Sequence, residues 1–177
     1  MRVSNIVMRN IRDEACILTT FYTKTEPEPV SERTPIFRNI HFNGITGDAK
    51  IACALTGLEE LPVENITFSD IQLETKTGIV VRDARRIQFH DVNIDTESGP
   101  VLTATKTEGL DISGIGTTRP HAGTPVVEMD NVKRVFVHDC VAEPGTEVFL
   151  RVSRDSADEV TLEGNHLKQA KTAVREE

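Results

Sequence analysis

The stretch VENITFSDIQL, Val63–Leu73, reads as one half-buried strand in which Ile66, Phe68 and Ile71 are apolar. Near-copies of it recur along the whole chain. They are NIVMRNI anchored at Ile6, NIHFNGI at Ile40, NITFSDI at Ile66, RIQFHDV at Ile87, GLDISGI at Leu110, RVFVHDC at Val135 and EVTLEGN at Val160. Each copy alternates apolar residues, then places a small or polar residue before a third apolar one. A unit that returns about every 25 residues marks a solenoid.

A second series lies between these copies. It comprises ILTTFY from Ile17, IACALTG from Ile51, GIVVRDA from Gly78, PVLTATK from Pro100, TPVVEMD from Thr124 and EVFLRVS from Glu147. Each period therefore holds at least two short β-rich segments separated by Gly, Asn, Asp or Pro turns. Helical repeats would show a 3.6-residue apolar period, and none occurs before the last dozen residues. The expectation is one all-β domain over residues 1–177, a parallel β-helix of 6–7 coils stacked at about 4.8 Å.

Two segments depart from the repeat. TKTEPEPVSERTP, residues 23–35, is rich in proline and charge and reads as an inserted surface loop. The tail, residues 165–177, places Leu167, Ala170 and Val174 on one helical face, which predicts a short capping helix for the last coil. Asn165 takes the place of the third apolar residue there, as expected where a core ends. The first coil has no comparable cover, because Met1 is followed at once by a full repeat strand. Open apolar columns and unpaired backbone invite another chain, so a homo-oligomer is expected, with a trimer favoured.

Lys and Arg number 20 against 28 Asp and Glu, a net charge of −8. That disfavours nucleic acid and anionic membrane surfaces as partners, and an anionic ligand would need a local basic patch. Cys16, Cys53 and Cys140 cannot all pair, and their strand settings suit small buried hydrophobes. MRVSNIVMRNIRDE lacks the apolar core of a signal peptide, which makes the cytoplasm the default compartment. No metal-ligand spacing stands out, and no cofactor is expected.

The order VSNIVMRNI, EACILTTFYTK, TPIFRNIHFNGITG, LPVENITFSDIQLETKTGIVV resembles the C-terminal half of polygalacturonase-like proteins, glycoside hydrolase family 28, from about Val3 to Ile115. The resemblance implies a right-handed parallel β-helix that hydrolyses α-1,4-galacturonan of pectin with inversion; members of this family are usually exported. The family works through Asn-Thr-Asp, Asp-Asp, Gly-His-Gly and Arg-x-Lys segments, and none of the four occurs in this chain. RRIQ at Arg85 resembles the last only in its letters. The family's catalytic coils would precede Met1, so none of its catalytic residues transfers. One family position does, a sugar-binding tyrosine on a groove strand, which falls on Tyr22.

The second strand series would line the substrate face. Its polar ends offer Arg82, Arg85, Lys106 and Arg151, with Arg154 beyond, for uronate carboxylates, since Arg presents a bidentate fork. Asp83, Glu128 and Asp130 are the candidate catalytic carboxylates. Inversion needs one protonated acid and one separated carboxylate that activates water. A further cluster, His90, Asp91 and Asp95, is weaker: the HD pair at His90 repeats at His138, as coil-to-coil repetition would produce without chemistry. Pectin binding without catalysis, a structural module, or the C-terminal half of a split enzyme are the alternative readings.

Overall fold

The computed structural model describes residues 1–20 and 29–177. Strands β1 (Arg2–Thr19), β2 (Arg38–Thr56), β3 (Val63–Thr96), β4 (Leu102–Gly116), β5 (Pro125–His138), β6 (Val148–Val152), β7 (Val160–Glu163) and β8 (Thr172–Glu176) follow one another along the chain. Every pairing between them is parallel, in the order β1-β2-β3-β4-β5-β6-β8, with β7 also on β5. The chain is a parallel β-solenoid of about six turns, and its only helical piece among the described residues is a 3₁₀ turn, Arg154–Glu159.

The repeat template sets the register. Ile40 stands against Ile66, Ile87 against Leu110, and Leu110 against Val135. One step inward along the strand, the rings of Phe42, Phe68 and Phe89 stack at 4.9 and 5.4 Å, tilted by only 8° and 12°. Like-on-like columns of this kind fill a narrow interior with few voids, and nearly all of these side chains are buried. A third column, Leu55, Val81, Ala104, Met129 and Val152, fills the other side of the core.

The small or polar position of the template is a backbone requirement. Asn5, Asp70, Asp91 and Asp139, with Gly44, Gly114 and Gly164, all take positive φ at the same corner of successive coils; the first copy is displaced from the template, because Ile6 stands against Ile45 and not against Ile40. Asn39, Asn65, Arg86, Gly109 and Arg134 do so one residue before the first apolar position of the template, Asp83, Lys106 and Asn131 at a third corner, and Asn10 beside Asp48. Asn, Asp and Gly tolerate this left-handed region best because their side chains are short or absent. At Gly47 (φ 133°) a Cβ would lie 1.9 Å from the Met8 carbonyl oxygen, so the close approach of β1 admits only glycine.

The expected capping helix is absent. Residues Thr172–Glu176 form β8, with Thr172 opposite Val148 and Val174 opposite Leu150. A helix there would leave the edge of β6 unpaired, and β pairing supplies those bonds. Leu167 and Ala170 still pack on the core, so their apolar character was read correctly and their period was not. Asn165 finishes a coil through its side chain: Oδ1 accepts from the Cys140 amide at 2.9 Å and Nδ2 donates to the Val137 carbonyl at 2.8 Å. All three cysteines are free thiols; Cys53 and Cys140 are buried, Cys16 partly so.

Candidate functional site

The substrate face expected from the sequence is the outward side of the second strand series and the corner that follows it. Arg82, Thr105 and Asp130 form one column, and Val80, Thr103, Glu128 and Arg151 another. Asp83, Lys106 and Asn131 are the corner residues after these strands, all in the left-handed conformation.

The structure brings some of the predicted residues together and separates others. Asp83, Arg85 and Lys106 line one surface groove of about 390 Å³, together with Glu59, Glu108 and Lys133. Arg82 lies beside it, its Nε 3.3 Å from Asp83 Oδ2. Glu128 is engaged elsewhere, accepting from Arg151 Nη2 at 2.6 Å on the next coil. Asp130 is exposed two coils from Arg82, about 10 Å along the axis. Arg154 opens the 3₁₀ turn. Tyr22 and residues 23–28 of the inserted loop lie outside the described residues.

The groove is close to charge-balanced. Arg85 reaches Glu108 at 3.6 Å, Arg134 reaches the same carboxylate at 2.8 Å, and Lys106 reaches Glu59 at 3.5 Å. These are exposed pairs of small individual worth, and an incoming charged ligand can exchange them.

The HD echo resolves into backbone geometry and one local cluster. Asp91 and Asp139 are corner residues held at positive φ. His90 and His138 share an outward column with Ser113 between them. His138 bridges two carboxylates, Nδ1 to Asp139 Oδ2 at 2.7 Å and Nε2 to Asp111 Oδ1 at 3.0 Å, and its ring stacks on Phe136. The Asp139 and Asp111 contacts raise its pKa above the ordinary value, against the opposing effect of burial. Asp95 is not part of this cluster. No group of three or more His, Cys, Asp or Glu among the described residues could hold a metal ion.

Sequence reasoning missed a larger groove, of about 1030 Å³, on another corner, where Asp48, Glu74 and Asp95 follow one another on successive coils. Burial pushes the Asp95 carboxyl up, but hydrogen bonds from Thr118 and Thr117 and the nearby Arg119 outweigh it and hold it below its ordinary pKa. The signal was available in the repeat, since these acids sit at equal distances beyond Ile40, Ile66 and Ile87. No helix among the described residues is long and apolar enough to cross a membrane. Comparison with protein-family models, curated proteins and solved structures returns no match.

Proposed function

We propose that this chain is a polygalacturonase-like β-solenoid acting on pectic polysaccharide, with galacturonan laid across the corner groove and hydrolysed there. The observation that supports it is the meeting of Asp83, Arg85 and Lys106 in one groove, on a chain whose repeat order resembles that family. The two cations would pair with uronate carboxylates, and Arg82 would orient Asp83. Asp83 would serve with Asp130 or a groove glutamate as the acid and base of an inverting reaction. Purified protein incubated with polygalacturonate should release reducing ends, and Asp83→Asn should abolish release. Turnover that survives Asp83→Asn and Asp130→Asn alike overturns a site at this corner.

A second reading, pectin binding without hydrolysis, is favoured by the pairing in the groove. Each carboxylate there already has a cation within 4 Å, whereas a catalytic acid must enter the reaction neutral. Retention on a polygalacturonate affinity gel with no reducing ends, lost in Arg85→Gln/Lys106→Gln, separates this reading from the first. Neither retention nor turnover removes both.

Association of subunits belongs to the same proposal. Met1, and Val7 and Ile17 of β1, are exposed, and β1 is an edge strand of the sheet. A threefold assembly of the 19.6 kDa chain is expected, and light scattering that reports a monomer rules it out.

A further inference from the structure

The core column that begins at Cys16 changes character along the rod. It runs Cys16, Cys53, Ile79, Leu102, Val127, Leu150 and Val174, each in register with the next. Aliphatic side chains fill the later positions, and the two cysteines fall together on the first two coils. A narrow apolar gap adjoins them, lined by Ala15, Cys16, Ala52, Cys53, Phe68 and Ile79 among others. Val or Ile would fill more of that space, so packing alone does not account for two small thiols there.

The pair meets the geometry of a disulfide. Neighbours across a ladder stand about 4.8 Å apart at Cα, inside the usual disulfide range of about 4.4–6.8 Å. The two thiols are already in hydrogen-bonding contact. Register is regular from Cys16 to Thr19, with no bulge to turn one sulfur away from the other. Their Cβ atoms must draw in to about 3.8 Å, and β1 can yield, because among the described strands it pairs with β2 alone. Cys140 differs: it is buried, and its Sγ donates to the His138 carbonyl oxygen at 3.2 Å rather than facing a thiol.

We propose that Cys16 and Cys53 are a redox couple, two thiols in a reducing compartment and one inter-coil disulfide in an oxidising one. Cys16 is partly exposed, so its thiolate meets a soluble disulfide such as oxidised glutathione first. It attacks one glutathione sulfur, breaks the S–S bond and expels a glutathione thiolate, which takes up the proton that Cys16 gave up. Cys53 then attacks Cys16 Sγ and expels the second glutathione, to which its own proton passes. Two protein thiols and one glutathione disulfide thus become one protein disulfide and two glutathione thiols. Burial, and after it the contact with Cys16, pushes the Cys53 thiol well above its ordinary pKa, which suits it to the second step and not the first. The bond ties the end coil to its neighbour and restrains fraying of β1.

Equilibration of the full chain in glutathione buffers from reduced to oxidised, with acid quench, alkylation after unfolding and peptide mass spectrometry, tests it. The oxidised chain should yield peptides joined through Cys16 and Cys53, two hydrogens lighter than the separate thiols, with Cys140 alkylated. The Thr20 amide donates to the Thr56 carbonyl oxygen at 3.0 Å across the same two coils. Its hydrogen exchange should slow at least about tenfold on oxidation. In Cys53→Ala the glutathione adduct should remain on Cys16. A lasting adduct on Cys16 of the wild-type chain, chains joined to one another through Cys16, both thiols still free in oxidised buffer, or equal Thr20 exchange in the two forms overturns the couple. The wild-type measurements need no variant, so poor folding of Cys53→Ala leaves the test intact. The couple uses neither groove, and retention or turnover of polygalacturonate does not bear on it.

Discussion

Glu128 and Arg151 stand in register on neighbouring coils and meet at 2.6 Å, which ties the candidate carboxylate to the rod rather than to the groove. Both side chains are about one-third exposed, so water screens the pair. A double-mutant cycle with Glu128→Gln and Arg151→Met should give a coupling of about 0.2–1 kcal/mol in urea unfolding. A coupling above about 2 kcal/mol contradicts a screened surface pair.

The phenylalanine stack predicts an order of costs. Phe68 is buried between two rings, whereas Phe42 has one aromatic neighbour. Phe68→Ala should cost roughly 3–5 kcal/mol, and Phe42→Ala less. Equal losses in denaturant titrations would mean that the rings do not act as one column.

His138 predicts the direction of one pH effect. Its folded pKa is raised, chiefly by Asp139 and further by Asp111. The stabilisation is therefore complete below the unfolded value near 6.5 and disappears as pH rises through the folded value. His138→Gln should flatten that part of the stability-pH profile. A variant profile still falling in parallel with wild type would assign the effect to another group.

Asn165 predicts a local opening. Asn165→Ala strands the Cys140 amide and the Val137 carbonyl, which should cost roughly 1–3 kcal/mol. Hydrogen exchange at the Cys140 amide should accelerate, while that of Phe89, in the middle of the rod, stays slow. Acceleration at both sites would show global rather than local opening.

The fold was legible because the interior leaves one residue class per column. Ile66, Phe68 and Ile71 announce their coil wherever their equivalents recur. The tail misled because Leu167, Ala170 and Val174 satisfy a helical period by accident, and six residues cannot reveal that β6 offers an unpaired edge. Site residues were less legible because outward positions obey no column rule. Asp83 and Lys106 come together through corner register, whereas Glu128 is claimed by Arg151, a contact set by rotamer and coil neighbour.

The left-handed corners make the whole coil the unit in which this protein can be edited. Duplicating one complete period adds about 4.8 Å to the rod and returns every Asn, Asp and Gly to a corner. A single residue inserted between Asn65 and Asp70 instead rotates Ser69 into the second corner and throws the apolar set outward. Length variation among chains of this design should therefore come in whole turns or in the connections between strands, with the strands themselves unaltered.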